Sequence, residues 1–311
     1  MNEKPYILVT GAGGALAQAV INRLHDRYRI VACDSRREVT LPPDIPSYHL
    51  DVQKRDFEDL FREYHFEGVI HLGRLGANEG ARERRYNANV TGTQKLLELC
   101  VKYHVGQVLV LSTYFVYGAH PLNPAYLTES APLKASGITM DLVDSVELEN
   151  LAMIYFWKHP ELKVTLLRPC NIVGPGVNNS ISQLLMKERV PVLMGFSPMM
   201  QFIHLDDMAE AITLAFGKNI PGIYNVAPDD VVAYQHAVTL CGCRKQHIPS
   251  IPPQLPVILS RVLGWKHFPP YLMDYFKYSA TINGRQFRET FGFTPRYSLS
   301  DIFRHYALLK K

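Results

Sequence analysis

From Tyr6 to Leu24 the chain reads YILVTGAGGALAQAVINRL, and this stretch constrains the fold more than any other. The apolar run Tyr6 to Val9 predicts a buried strand. Glycines at 11, 13 and 14 end it in a tight turn, and Ala15, Ala19, Val20 and Leu24 then recur at helical spacing. A strand that turns on small residues into a helix is the opening of a β-α-β unit, whose crossover sends the next strand parallel to the first.

The rest of the chain continues that pattern. YRIVACD predicts a second strand ending at Asp34, SYHLDV a third, GVIHLG a fourth, QVLVLST a fifth and KVTLLRP a sixth. Helices are expected near 54–64, over about 84–103 and within GITMDLVDSVELENLAM, residues 137–153. These strands are continuous apolar runs, which means a sheet buried on both faces. The fold class is therefore α/β, a Rossmann-type doubly wound parallel sheet. After Pro169 glycine and proline become frequent, and a smaller C-terminal substrate lobe is expected. Residues 1–170 are read as the sheet domain, with 203–228 contributing to it, and 171–311 as mostly the interleaved lobe.

Composition excludes several classes. A net charge of +4 over 311 residues, with no run of Lys and Arg, argues against nucleic acid. Five cysteines are few and odd in number, which suits a reducing compartment. Cys241 and Cys243 form C-x-C with no second pair, and no His/Asp/Glu group has ligand spacing, so no metal is expected. The N-terminus has no charged leader before a long apolar stretch, and LPVILSRVLGW is broken by Ser260 and Arg261. A cytoplasmic protein is expected.

Gly11, Gly14 and Ala17 lie three apart between strand and helix, where small residues let a pyrophosphate approach the helix N-terminus. Asp34 ends the next strand, placed to accept hydrogen bonds from both hydroxyls of an adenosine ribose. A carboxylate there repels a 2′-phosphate, so NAD is expected over NADP. Arg36 and Arg37 follow closely enough to receive a phosphate, and NADP stays the lesser alternative.

The T-G-x-x-G-x-x-A spacing resembles that of the extended short-chain dehydrogenases/reductases, the NAD-dependent epimerase/dehydratase family. HLG at His71–Gly73, NVTGT at Asn89–Thr93, LSTYFVYG, LLRPCNIVGPG, FIHLDDMAEAI and GIYNVAP resemble the family's later motifs in order. The resemblance implies bound NAD, contacted by Gly11, Gly13, Gly14, Ala15, Leu16, Asp34, Asp51, Val52, Leu72, Gly73, Asn89, Ser112, Pro169 and Asn171. It also implies a small-molecule substrate, often a nucleotide sugar. A homodimer is implied too, built on the helices Arg84–Tyr103 and Asp141–Trp157, whose Leu96, Leu97, Leu99, Leu148, Leu151 and Ile154 exceed one sheet-facing stripe.

One family motif is missing. The helix after the Ser/Thr strand should carry Tyr-x-x-x-Lys, whose tyrosine takes the substrate proton and whose lysine lowers the tyrosine's pKa and holds the ribose. Anchoring the family's downstream Glu on Glu149 puts Asp141 and Ser145 in those places; anchoring on Glu147 puts Thr139 and Val143 there. Tyr306 and Lys310 have the spacing but lie at the extreme C-terminus. Thr113 occupies the Ser/Thr position, as a substrate-binding hydroxyl or a strand end satisfied by backbone. Asp141 is either a buried base or a first-turn acid. His204 matches a motif of structural role, and Asp206 and Asp207 suit helix capping. Two functions stay open: an epimerase/dehydratase-type enzyme with a non-standard base, acting on a nucleotide sugar or a partly apolar substrate, or a non-catalytic NAD-binding regulatory or scaffold protein. The segment from Ser250 to Tyr278 mixes apolar residues with Arg261, Lys266, His267 and Lys277. It either closes the lobe's core or offers an apolar ligand or a weak membrane-surface contact.

Overall fold

The computed structural model describes residues 4–36, 39, 41–76, 80–249 and 271–310. Strands β1 (Tyr6–Thr10), β2 (Arg29–Cys33), β3 (Ser47–Tyr48), β4 (Phe66–His71), β5 (Gln107–Leu111) and β6 (Lys163–Pro169) build the sheet. The chain then leaves it for β7 (Asn171–Val173), β8 (Arg189–Leu193), β9 (Met199–Met200) and β10 (Phe202–His204), and returns as β11 (Gly222–Val226). The seven-stranded order is β11-β6-β5-β4-β1-β2-β3, parallel throughout. The chain first builds outward from β1 to β3, then crosses back to β4 and builds the other way. Between β1 and β4 the loops diverge and leave a crevice at the strands' C-terminal ends.

Strand periodicity divides the core into two. Ile7 and Val9 point into one apolar cluster and Leu8 into the other, all fully buried. Helix α1 (Ala15–Leu24) buries Ala17, Val20, Ile21 and Leu24 on the first face, and helix Leu205–Lys218 shares that cluster.

The expected helix over 84–103 is three pieces: α2 to its N-terminal side is Phe57–Glu63, and the stretch itself runs as α3 (Arg82–Tyr86), a π-turn (Asn87–Thr91) and α4 (Gly92–Lys102). The wider turn carries Asn89 and Val90 inward. The helix expected over 137–153 also differs. A short α5 (Ala135–Ile138) precedes a 3₁₀ turn at Met140–Leu142, and α6 starts only at Val143 and runs to Lys158. The cause is Thr139, whose extended backbone interrupts the helix and whose Oγ1 accepts the Asp141 N–H at 3.2 Å.

Leu96, Leu97, Leu99 and Leu148 are consumed by the chain's own core, so they are not surplus apolar surface. Ile154 and Trp157 on α6 are exposed. Residues 250–270, with Leu255, Val257, Arg261, Lys266 and His267, lie outside the described residues, as does Arg37. The remainder of that late segment faces inward: Tyr271, Leu272, Tyr275 and Phe276 are buried in the first core cluster. No described helix is long and apolar enough to cross a membrane.

Candidate functional site

At the end of β1 the chain turns at Gly11 with φ +70°, where a Cβ would sit 2.7 Å from the Gly73 Cα. Only glycine permits the loops after β1 and β4 to approach this closely. Gly14 heads α1 without a capping side chain, which leaves the helix's first N–H groups open to an anion. Asp34 is buried at the end of β2; Gly13 N–H donates to its Oδ2 at 3.0 Å and Arg36 N–H to its Oδ1 at 2.8 Å. Asp34 is thus fixed in place by the glycine turn it faces.

His71, at the end of β4, is a neutral strut. The Thr93 hydroxyl donates to the Asn89 carbonyl at 2.6 Å, so at 3.0 Å it accepts from His71 Nε2–H. Nδ1 then accepts from the Thr10 hydroxyl at 2.7 Å. Burial, assisted by the Arg74 charge, pushes the imidazole down to about 4.

Two cavities open along this edge. One, of about 430 Å³, is lined by Gly11, Asp34, Asp51, Val52, His71 and Gly73 among others. The second, of about 340 Å³, is lined by Gly14, Ala15, Leu16, Ser112, Thr113, Asp141, Pro169 and Asn171. Asp34, Arg36, Arg74 and Leu75 line both, so the two form one cleft. Three of the residues expected at the cofactor are not among those that line these two cavities. Gly13 is turned to Asp34, and Leu72 packs against the core. Asn89 is fully buried, taking the Leu75 N–H at 2.8 Å and donating to the Leu75 carbonyl at 2.9 Å, which braces the loop after β4.

A model of the NAD dependent epimerase/dehydratase family matches residues 7–227, more than half of the chain. The chain belongs to that family. Among its relatives, an uncharacterized protein of Mycobacterium tuberculosis is 23% identical over 96% of this chain and 82% of its own length. The UDP-glucose 4-epimerase of Bacillus subtilis is 32% identical over 57% of this chain and 56% of its own. The crystal structure of the Thermus thermophilus UDP-glucose 4-epimerase with NAD superposes with a TM-score of 0.77 at 18% identity, over 97% of this chain and 98% of that one.

Helix α6 borders the second cavity through Asp144 and Ser145. Glu149 is fully buried, accepts from Ser112 Oγ, and takes Arg168 Nε at 2.8 Å. That lock fixes the helix register with Glu149 inward, and one turn earlier Ser145 is buried on the same side. Ser145 is held by Arg74, whose Nη2 donates to Ser145 Oγ at 2.7 Å. Asp141, in the turn before α6, pairs with Arg82 Nε at 3.2 Å and Arg85 Nη2 at 3.6 Å. Thr113 Oγ1 accepts the Phe115 N–H at 3.3 Å, which leaves its own O–H to donate.

The C-terminal Tyr306 and Lys310 are struts of the small lobe. Tyr306 OH meets Gly174 N at 3.1 Å and Ser182 Oγ at 2.8 Å, and Lys310 Nζ donates to the carbonyls of Leu185 and Cys241. Cys241 and Cys243 are buried free thiols. Among the described residues no group of His, Cys, Asp or Glu could hold a metal. Sequence reasoning passed over Arg74 and read Tyr271 only as apolar bulk, although both line the second cavity. Its one signal for Arg74 was the position directly after HLG, the motif placed beside the cofactor ribose.

Proposed function

We propose that this chain binds NAD along the cleft and uses it in epimerase- or dehydratase-type chemistry on a hydroxyl-bearing substrate of the nucleotide-sugar class. The observation that carries this reading is the continuity of the two cavities from Asp34, past the open N-terminus of α1, to Thr113 and Asn171. In this reading Asp34 holds the adenosine ribose, Asp51 and Val52 flank the adenine, and Gly11, Gly14, Ala15 and Leu16 receive the diphosphate. Ser112, Pro169 and Asn171 wall the nicotinamide end, and bound there the nicotinamide supplies a reversible hydride acceptor. Thr113 donates to a substrate oxygen, and Asp141 accepts from a substrate hydroxyl. The names of the Bacillus subtilis and Thermus thermophilus proteins point to the same substrate class.

Calorimetric titration with NAD and NADP, followed by absorbance at the NADH band on adding UDP-glucose, dTDP-glucose and UDP-glucuronic acid in turn, tests the reading. NAD binding with preference over NADP, and a spectral change with one sugar nucleotide, is the expected result. NAD binding with no change on any substrate would instead favour a non-catalytic, NAD-sensing role, which the pairing of Asp141 with two arginines also suits. The exposed Ile154 and Trp157 on α6 are the proposed dimer contact. Light scattering should give a dimer at micromolar concentration, and a monomer for Ile154→Asp with Trp157→Asp.

A further inference from the structure

Two tyrosines line the cavity that Thr113 and Asp141 enter, Tyr114 and Tyr271. Tyr114 donates its hydroxyl to Asn171 Oδ1 at 3.1 Å. Tyr271 enters from the small lobe. Its ring stands edge-on to Phe115 at 5.3 Å and to Tyr275 at 6.1 Å between centroids. The Tyr275 hydroxyl in turn donates to the Phe115 carbonyl at 2.6 Å, tying the Leu272–Tyr275 turn to the loop after β5. On the facing wall Arg74 rests on Ser145, and its buried Nε has no hydrogen-bond partner among the described residues. A buried guanidinium N–H left unpaired is costly, so a site that keeps one has a use for it when a ligand arrives.

We propose that Arg74 and Tyr271 form the working cation–phenol pair of this site, assembled from the turn after β4 and from the small lobe instead of from one helix. Resting on the NAD reading above, Arg74 takes the ribose hydroxyls at the nicotinamide end through its guanidinium, beside Ser145, where a lysine at position 145 would reach. Tyr271 exchanges a proton with the substrate hydroxyl. In the oxidising direction the substrate O–H bond breaks and its proton passes to the Tyr271 phenolate oxygen. Bound NAD would supply the acceptor for the hydride of that same carbon, and in the reverse direction Tyr271 returns the proton to the oxygen.

Without a ligand, Tyr271 is held as the neutral phenol, and the charges around it pull in both directions. Burial pushes the phenol up to about 12 and Asp141 pushes the same way, whereas the Ser180 hydroxyl and the guanidiniums of Arg74 and Arg85 pull it down. Arg74 is therefore placed to favour the phenolate, as well as to hold a ribose.

Binding and spectroscopy test the pair without knowledge of the substrate. NAD affinity by calorimetry should fall about tenfold or more in Arg74→Ala, the loss expected of one charge-assisted hydrogen bond. It should recover to within about threefold of wild type when Ser145→Lys is added, since that lysine restores the cation on the same spot. Arg74→Gln, which keeps a donor to Ser145 but no charge, carries the same expectation should the alanine variant fail to fold. In protein labelled with ¹³C at tyrosine Cζ, the resonance lost in Tyr271→Phe should titrate at lower pH with NAD bound than without, and Arg74→Ala should move its titration upward. Unchanged NAD affinity in both Arg74 variants, no rescue by Ser145→Lys, or a Tyr271 resonance indifferent to Arg74 would each overturn the pair. Failure of the wild type to bind NAD would sink the cofactor reading itself.

Discussion

Arg168 and Arg74 reach helix α6 one turn apart, at Glu149 and at Ser145. Arg168 is fully occupied. Its Nε and Nη2 donate to Glu149 Oε2 at 2.8 and 2.5 Å, and its Nη1 donates to the Tyr117 hydroxyl at 2.8 Å and the Glu129 carbonyl at 2.9 Å. Among the described residues Arg74 meets one hydroxyl and keeps a buried nitrogen unspent. Both are guanidiniums in the same low-dielectric layer, yet one completes a network and the other leaves it incomplete. Burial by itself therefore does not distinguish the two cations; the donor left over does.

The largest effect that follows falls on Arg168. Glu149→Ala strips its carboxylate, leaves the charge buried and unpaired, and should destabilise the fold by about 3–5 kcal/mol in urea titration. A loss below about 1 kcal/mol would remove the basis for calling this pair structural.

A smaller effect concerns His71, a buried group whose two nitrogens are both satisfied while it stays neutral. Its folded-state pKa, about 4, lies below the unfolded value of 6.5, so between them the unfolded chain binds more protons. Stability should hold above pH 6.5 and be lost as pH falls toward 4, by up to about 3 kcal/mol. His71→Asn should flatten that limb of a pH–stability curve; an unchanged curve would mean that another group sets it.

At the cofactor end, Asp34→Ala should weaken NAD about tenfold in calorimetry and narrow the gap to NADP. Equal or tighter NADP binding by the wild type would count against the role given to Asp34. The smallest effect belongs to the stability of Arg74→Ala, expected within about 1 kcal/mol of wild type, because removing a partly satisfied buried charge also removes its desolvation cost. If Arg74→Ala costs as much as Glu149→Ala, the contrast between the two arginines is lost.

Several residues that line the cleft were readable in the chain. Gly11, Gly14 and Asp34 belong to contiguous strand–turn–helix and strand-end signals, and local geometry translates such signals directly into position. The same locality explains why Asn89 was read one step too far forward: the π-turn at Asn87–Thr91 rotates it inward, out of the lining of the two cavities, and its sequence carries no mark of that turn. Asp141 was placed in a helix, but Thr139 stops that helix and leaves Asp141 in a 3₁₀ turn facing Arg82 and Arg85.

By itself the sequence determined the doubly wound sheet and the family. These rest on apolar periodicity and on motifs that are each a few residues long, so neighbours along the chain suffice to read them. Only the tertiary structure decided which side chains line the cleft beside Ser145. Arg74 follows the fourth strand and Tyr271 belongs to the last third of the chain, and nothing in either neighbourhood refers to the other. They share one cavity because the sheet reverses its direction of growth between β1 and β4, and because the small lobe folds its aromatic turn back against Phe115. Burial then gives the charge on Arg74 its reach, and burial is a property of the packed chain and not of any stretch of it.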